Sequence, residues 1–223
     1  MVRLQLLSDL HLDFHADGGS EFIKKFPTQI ADILINIGDM CESTHLAYSL
    51  IQLCCKIYPT QMIYIAGNHC NYRSNFFKTA DILSNLEIQC SNFIWLENNS
   101  FTLPQGPTIH GCTLWFPKSA EALANKHYLN DFNYITDCDP IAFQKCEESA
   151  EWLEEVINPG DIVVTHHLPS KLCIHPKYEN SNINCYFYTE MEKVIRRKKP
   201  SYWLFGHGHE ARDVQIGQTR CIS

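Results

Sequence analysis

The sequence predicts an α/β protein in which two β-sheets pack face to face and helices cover their outer faces. Its first half alternates short apolar runs with helical segments, a pattern typical of βαβ units and parallel strands. Residues 93–116 hold three short strand-like runs separated by turn residues, and we expect them to form hairpins of a second sheet. With 223 residues, 45% of them hydrophobic, the chain can close one compact domain, assigned here to residues 1–223.

Five apolar runs are the predicted core strands, and each is followed by Asp, Asn or His. These runs occupy residues 4–7, 33–37, 62–66, 161–165 and 202–205. In an open α/β sheet, ligands bind outside the carboxyl ends of the strands. We therefore expect the polar side chains that follow the five runs to meet at one edge of the sheets.

Helices are predicted at residues 21–29, 44–56, 74–86, 119–126, 141–157 and 187–197. In the second of them, Leu46, Leu50, Leu53 and Ile57 have the spacing of a single apolar face. The preceding Ser43 can cap its first turn, as can Thr44.

Two polar segments flank the last predicted helix. Residues 168–184, rich in Pro, Asn and Ser, are predicted to form a loop long enough to have a function of its own. Residues 196–199 read Arg-Arg-Lys-Lys and are interpreted as a solvated helix end, where basic side chains suit the helix dipole.

Composition narrows the classes of partner and compartment. The formal net charge of −7 argues against a broad electrostatic surface for extended nucleic acid or an anionic membrane. No apolar run approaches the roughly 20 residues that span a bilayer, and no signal peptide is evident. The eleven cysteines form no CxxC pair, which indicates reduced thiols and a cytoplasmic protein rather than a disulfide-bonded domain, the alternative interpretation.

Seven side chains after the predicted strands supply oxygen and nitrogen ligands for metal ions. A closed zinc site needs only four ligands, so seven suffice for two divalent ions that share one carboxylate. Two such ions can hold a hydroxide between them and stabilise an in-line displacement at phosphorus. The mixture of carboxylate, amide and imidazole suits Mn, Fe or Zn better than Cu. The candidate ligands are Asp9, His11, Asp39, Asn68, His166, His207 and His209.

A second Asp-x-His pair, Asp13 and His15, competes with the first for the metal-binding role. We favour Asp9 and His11, because they lie at the end of the first predicted strand, whereas the second pair lies further along the loop and could line a substrate cleft.

The order of the polar blocks resembles that of the calcineurin-like metallophosphoesterase superfamily. The blocks of that superfamily are Asp-x-His, Gly-Asp, Gly-Asn-His, a lone His and Gly-His-x-His. This sequence matches them at residues 9–11, 38–39, 67–69, 166 and 206–209, and the resemblance spans nearly the whole chain. It implies a four-layer α/β/β/α sandwich, in agreement with the two-sheet prediction.

The resemblance also implies a role for each matching residue. Asp9, His11 and His209 would hold the first metal ion, and Asn68, His166 and His207 would hold the second. Asp39 would bridge the two ions. His69 would be the catalytic proton donor to the leaving oxygen, since the nucleophile needs no further activation.

Two departures separate this sequence from the protein Ser/Thr phosphatase branch of the superfamily. That branch extends Gly-Asp into a block ending Asp-Arg-Gly, whereas residues 38–42 read Gly-Asp-Met-Cys-Glu. Cys70 follows His69 where that branch usually has an acid. Similar proteins are also expected to continue with a strand pair and an Asn-Pro-containing tail, so a chain that stops at Ser223 can lack the closing edge of one sheet.

Several polar residues near these blocks keep more than one interpretation. His167 is assigned to substrate binding, or to a hydrogen bond that supports a ligand. Asn130 and Asp131 could touch substrate or a metal-bound water, although a helix-capping turn explains them nearly as well. Of the other histidines, His45, His110, His127 and His175, none is expected to be a ligand, and His175 could contact substrate.

Together these patterns predict a metal-dependent hydrolase that cleaves a phosphomonoester or phosphodiester by attack of a metal-bridging hydroxide. The expected substrate is a small phosphorylated molecule such as a nucleotide. The competing hypothesis is a scaffold of the same fold that binds a protein partner. Scaffolds of this kind tend to lose the proton-donating histidine, and the presence of His69 therefore favours the enzyme.

Overall fold

A computed structural model of the chain describes residues 2–26, 31–58, 60–104 and 106–223. Two sheets form the centre of the molecule. The first sheet is entirely parallel and has the strand order β1-β2-β3-β4. Its strands are β1 (Leu4–Leu7), β2 (Ile33–Asn36), β3 (Gln61–Tyr64) and β4 (Phe93–Trp95).

The second sheet is mixed, with a parallel centre and antiparallel pairs at both edges. Its strands are β5 (Asn99–Thr102), β6 (Thr108–Cys112), β7 (Ile162–Thr165), β8 (Tyr202–Phe205), β9 (Asp213–Ile216) and β10 (Thr219–Ile222). Their order in the sheet is β5-β6-β7-β8-β10-β9. The strand pair β9–β10 occupies the edge of the second sheet beyond β8.

Seven α-helices connect or flank these strands. They are α1 (Ser20–Lys25), α2 (Thr44–Ile57), α3 (Phe76–Gln89), α4 (Ala120–Asn125), α5 (Asp131–Tyr134), α6 (Cys138–Val156) and α7 (Glu192–Lys198) among the described residues. Side chains cap the first turns of α2, α3 and α4. The capping residues Ser43, Asn75 and Ser119 each accept a hydrogen bond from the backbone N–H three residues later. None of the described helices is both long enough and apolar enough to cross a membrane.

Side chains alternate along the strands and define four layers. In β2, Ile33 and Ile35 face the second sheet, while Leu34 packs with the apolar side chains of α1, α2 and α3. In β7, Ile162 and Val164 face the first sheet, whereas Val163 packs with residues of α6 and α7. The order of layers is therefore helices, first sheet, second sheet, helices, which confirms the predicted α/β/β/α class.

The prediction that residues 93–116 form hairpins of one sheet is wrong in part. β4 belongs to the first sheet and pairs with β3 in parallel, while β5 and β6 alone make a hairpin of the second sheet. The reason is α3, which lies between β3 and β4. A helical crossover returns the chain in the same direction, so the two strands it joins pair in parallel.

Three predicted helices also have different limits or faces. The buried face of α2 consists of Ala47, Leu50, Ile51 and Cys54, whereas Leu46 is 48% exposed, so the predicted face is rotated by about one residue. α7 begins at Glu192, five residues later than predicted. α1 ends at Lys25, and residues 27–29 of the predicted helix lie outside the described residues.

One buried carboxylate fixes the start of β7 against its neighbours. Asp161 accepts hydrogen bonds from the backbone N–H groups of Thr108 (3.2 Å) and Asn158 (2.9 Å), and its Oδ2 lies 3.0 Å from His110 Nε2. Burial raises the pKa of Asp161, but the hydrogen bonds from His110, Asn158 and Thr108 together hold it below its ordinary value. His110 is thus engaged in the sheet, in keeping with the expectation that it is not a metal ligand.

We expect Asp161→Asn to lower the free energy of unfolding by about 1–3 kcal/mol at pH 7, since in either orientation the amide nitrogen would face at least one backbone N–H donor. The folded-state pKa of Asp161 lies below the unfolded value, so its contribution is present above roughly pH 4 and is lost as the pH falls through the folded-state pKa. Urea unfolding of the parent and the variant at pH 7 and in acid measures this difference.

The matched control is Asp213→Asn, which removes an exposed ion pair with Arg220 at the edge of the second sheet. Its stability should stay close to that of the parent. An Asp161→Asn variant as stable as the control would contradict the conclusion that Asp161 fixes the start of β7.

Candidate metal centre

Five of the seven predicted ligands have backbone φ angles that side chains rarely adopt. The φ angles are 52° at Asp9, 42° at His11, 51° at Asp39, 64° at His207 and 52° at His209. Left-handed φ in residues other than glycine is uncommon, and such positions cluster at functional sites. Each of these turns follows a strand of one of the two sheets, so the side chains emerge together where the carboxyl ends of the strands meet.

Backbone hydrogen bonds continue past the strands and hold the turns. The N–H of Asp9 donates to the Gly38 carbonyl at 3.1 Å, and the N–H of His11 donates to the Asp39 carbonyl at 3.0 Å. Across the two sheets, the N–H of His207 donates to Asp9 Oδ2 at 2.9 Å. The first sheet and the second sheet are thus joined directly at the site.

A first cluster consists of Asp9, His11 and His209, whose candidate ligand atoms all lie within 4.8 Å of one another. His209 Nε2 lies 3.3 Å from Asp9 Oδ1 and 3.4 Å from His11 Nε2. Burial raises the pKa of Asp9, but the His209 hydrogen bond and the charge of His166 are among the contacts that together hold it well below its usual range. Asp9 is therefore a carboxylate at neutral pH.

A second cluster consists of Asp39, His166 and His207, with Asn68 beside it. His166 Nδ1 donates to the carbonyl of Ile37 at 2.7 Å, which directs its Nε2 towards Asp39 Oδ2 (3.2 Å) and Asn68 Oδ1 (3.1 Å). Burial lowers the pKa of His166, while the charges of Asp39 and Asp9 and its hydrogen bonds together raise it to about 9. A ring held by one nitrogen in this way is the usual arrangement of a metal-binding histidine.

Asp39 lies between these clusters and is completely buried. It belongs to the second cluster and also to a third group with His11 and His69, whose ligand atoms again lie within 4.8 Å. Its Oδ1 accepts a hydrogen bond from the backbone N–H of His69 at 3.0 Å. A Cβ at Gly67 would collide with the Asp39 carboxylate, so only glycine fits beside it.

The donor atoms fit divalent metal ions. His207 Nε2 is buried and has no hydrogen-bond partner in the described part of the chain. Asp9 Oδ1 and Asp39 Oδ2 are also buried, and each has only a histidine nitrogen beside it, His209 Nε2 at 3.3 Å and His166 Nε2 at 3.2 Å. Leaving such groups unsatisfied costs about 1–3 kcal/mol each. A cation in each cluster would satisfy them, and imidazole nitrogens with carboxylate oxygens are the ligands that Mn, Fe and Zn accept.

His69 lies beside the clusters rather than within the ligand set predicted for either ion. Its ring stacks on Tyr72, with ring centroids 4.1 Å apart and an angle of 26°, and meets the His11 ring edge-on at 4.8 Å. Its Nδ1 is buried without a hydrogen-bond partner among the described residues. Burial lowers the pKa of His69, which makes its protonated form a stronger acid.

Asp131 and Tyr72 support Asn68 and His69. The sequence analysis left the role of Asp131 open and did not identify Tyr72. Asp131 Oδ1 accepts hydrogen bonds from Asn68 Nδ2 and from the Tyr72 hydroxyl, both at 2.8 Å. Asp131 thereby turns Asn68 Oδ1 towards His166 and holds the ring on which His69 stacks. Burial raises the pKa of Asp131 to about 6. The neighbouring Asn130 makes no side-chain cap, so capping does not explain this pair of residues.

His167 and the second Asp-x-His pair belong to neither ligand cluster. His167 is completely buried, its Nδ1 lies 3.2 Å from the Thr113 carbonyl, and its ring centroid is 4.2 Å from that of His207. It does not line the cavity beside the metal centre, so its position favours support of His207 over contact with substrate. Asp13 accepts a hydrogen bond from the Glu42 N–H at 3.2 Å, and the His15 ring contacts Phe22.

A cavity of about 480 Å³ opens beside the metal centre. Asn68, His69, His207 and His209 line its inner end. Residues 128–131 and residues from the long loop after β7 form its walls, and His175 is among them. The loop is therefore placed where its length predicted a function, at a cavity of the size that a small-molecule substrate occupies.

A sequence model of the calcineurin-like phosphoesterases matches residues 2–211 of this chain. Among curated proteins, no sequence matches it significantly. The match to the family model covers all five polar blocks that follow the strands, so the family assignment made from those blocks is confirmed.

Solved structures of low sequence identity share the fold. A phosphopantetheinyl hydrolase from Mycobacterium tuberculosis is 18% identical with a TM-score of 0.74, and the match covers 99% of this chain and 87% of that one. The protein TT1561 from Thermus thermophilus is 13% identical with a TM-score of 0.62, covering 100% and 88%. A dimetal phosphatase from Danio rerio is 10% identical with a TM-score of 0.61, covering 99% and 86%. At these identities the likeness shows the fold alone.

We expect Asp131→Ala to weaken divalent metal binding at the cluster of Asp39, His166 and His207 by about 10–100-fold, because Asn68 would lose the contact that orients it. Calorimetric titration of the metal-free protein with Mn²⁺ measures the change. Asp131→Asn is the matched control, since its Oδ1 can still accept both hydrogen bonds. Equal Mn²⁺ affinity in the parent and in Asp131→Ala would show that Asp131 does not position Asn68.

Proposed function

The chain belongs to the calcineurin-like phosphoesterase family, and we propose that it is a hydrolase that cleaves a phosphomonoester or phosphodiester of a small molecule with two divalent metal ions. The observation that carries this proposal is the convergence of Asp9, His11 and His209 in one cluster and of Asp39, His166 and His207 in another. These side chains come from strands of both sheets and share one buried carboxylate.

The proposed ligand sets follow from the clusters. Asp9, His11 and His209 would hold one ion, and Asn68, His166 and His207 would hold the other. Asp39 would contact both. When bound, the ions would supply Lewis acidity and a water-derived nucleophile at neutral pH. Mn, Fe and Zn are the candidates, because the donors combine imidazole with hard oxygen atoms.

Among the chain's own residues, we propose His69 as the proton donor. It lines the cavity next to Asn68 and His207, and its ring is fixed by Tyr72 on one side and His11 on another. Its role would be to protonate the leaving oxygen of the ester as the bond to phosphorus breaks. General acid catalysis by a positioned side chain typically raises the reaction rate by about 10²–10⁴-fold.

The volume of the cavity supports the proposed size of the substrate, and the free thiols support the proposed compartment. A cavity of about 480 Å³ suits a small phosphorylated molecule, of which a nucleotide is one example, and the net charge of −7 disfavours extended nucleic acid. All eleven cysteines lie in the described part of the chain and are unpaired, which supports a reducing compartment such as the cytoplasm.

We expect His69→Ala to keep its metal ions and to lose about 10²–10⁴-fold in turnover. Asp39→Asn should lose metal as well as activity, because the bridging carboxylate is removed. Metal content of the purified proteins, together with hydrolysis of 4-nitrophenyl phosphate and bis(4-nitrophenyl) phosphate in Mn²⁺, measures both effects. His45→Ala, an exposed histidine in the first turn of α2, is the matched control and should behave as the parent.

A His69→Ala variant as active as the parent would remove the proton-donor role. Absence of hydrolysis by the parent on both esters, with Mn²⁺, Fe²⁺ or Zn²⁺, would instead favour the scaffold hypothesis. The ratio of activities on the two esters separates a phosphodiesterase from a phosphomonoesterase.

A further inference from the structure

The cavity beside the metal centre is the place where the departing part of the substrate would lie. His69, the proposed proton donor to the leaving oxygen, lines the inner end of the cavity together with Asn68 and His207. A proton donor must be within hydrogen-bond reach of the oxygen it protonates. If the proposed function holds, the alcohol that leaves therefore extends from His69 into this cavity, and the cavity walls select that alcohol.

The walls are largely apolar and aromatic. Tyr128 and Leu129 form one side, and Ile174, Tyr178, Ile183 and Phe187 come from the long loop after β7. Aromatic and branched side chains of this kind favour rings and hydrocarbon through burial and stacking. Asn130 and Ser181 add hydrogen-bonding groups at a few points of the wall.

The cavity walls contain no permanently charged basic side chain. Among the described residues that line the cavity, none is Lys or Arg, and the basic side chains there are histidines, His175 in the loop wall and His69, His207 and His209 at the inner end. Two cations nearby in the chain are already paired, since Lys177 lies 2.7 Å from Glu210 and Lys126 contacts Asp139. The acidic residue of the wall, Asp131, would repel a second anion rather than bind one. A phosphate or carboxylate on the departing alcohol would therefore find neither a lysine nor an arginine as a counter-ion there.

Hydrogen bonds to neighbouring segments hold the wall made by the long loop. The N–H of Leu168 donates to the Phe187 carbonyl, and the N–H of Thr189 donates to the Leu168 carbonyl, both at 3.0 Å. The guanidinium of Arg212 donates to the carbonyls of Leu172 (3.0 Å) and Cys173 (3.3 Å). The apolar surface is thus fixed by the hydrogen bonds of the folded protein.

We infer that this enzyme selects phosphoesters whose departing alcohol is uncharged and largely apolar or aromatic. A nucleoside is within this class, whereas an alcohol that carries a further phosphate or a carboxylate is outside it. The inference rests on the proposed function for the direction of the substrate, and on the cavity lining for its chemistry.

Two aryl phosphates of nearly equal shape test the inference. 4-Carbamoylphenyl phosphate and 4-carboxyphenyl phosphate differ in one charge on the departing phenol. We expect kcat/KM to favour the carbamoyl ester by about tenfold or more, because the carboxylate would be desolvated without a partner. Equal kcat/KM values, or a preference for the carboxylate, would overturn the inference.

A charge placed in the wall should change this preference. Ile183→Lys would supply a counter-ion, and the ratio of the two kcat/KM values should fall towards one or reverse. Leu46→Lys is the matched control, because Leu46 is 48% exposed on α2 and does not line the cavity. It should keep the parental ratio, and circular dichroism verifies that both variants are folded.

Binding of the alcohols alone separates the two proposals. In the metal-free protein, NMR titration with 4-hydroxybenzamide should shift cavity resonances, and 4-hydroxybenzoate should shift them much less. Equal binding of the two, or no binding of the amide, would contradict the selectivity of the cavity. Hydrolysis of 4-nitrophenyl phosphate without charge selectivity would leave the proposed function standing, whereas selective binding without any hydrolysis would leave the cavity inference standing alone.

Discussion

The buried carboxylate of Asp39 is the constraint on which the site depends. It lies at the carboxyl end of β2, is completely enclosed, and faces His166 of the second sheet at 3.2 Å. A buried carboxylate without cationic partners would be strongly destabilising. The surrounding histidines and the metal ions we propose therefore explain why a charge is tolerated where the two sheets meet.

The backbone at Asp39 and at four other proposed ligands is strained. Left-handed backbone costs roughly 1–2 kcal/mol for a residue with a Cβ, and five of the proposed ligands adopt it. Hydrogen bonds between the turns, such as that from His207 N–H to Asp9 Oδ2, offset part of this cost. The result is a set of ligands fixed by rigid strand ends, with the cavity and the long loop beside them.

The clustering of the candidate ligands could be predicted from sequence because each one follows a strand, and the carboxyl ends of parallel strands lie at one edge of a sheet. The pairing of β4 could not be predicted in the same way, because a three-residue strand has too few side chains to show which sheet it joins. The buried face of α2 also differed from the prediction. Leu46 fits the apolar period, but the buried face is centred on Ala47, Leu50, Ile51 and Cys54, so Leu46 lies at its edge and is exposed to solvent.

The roles of Asp131 and Tyr72 depend on contacts between distant segments, which residue patterns do not reveal. Asp131 is 63 residues from Asn68, and nothing in their local sequence indicates that their side chains bond. The apolar walls of the cavity likewise come from two separate loops whose local sequences look like ordinary connections. Such features arise from tertiary packing, and the structure is needed to see them.

The measurement that tests the central claim most directly is the anomalous scattering of Mn²⁺ in crystals of the metal-loaded protein. The account predicts two peaks roughly 3.5–4 Å apart, as in two-metal hydrolases, with the Asp39 carboxylate between them. One peak should lie against Asp9, His11 and His209, and the other against Asn68, His166 and His207. A single peak, or peaks away from Asp39, would contradict the dinuclear site.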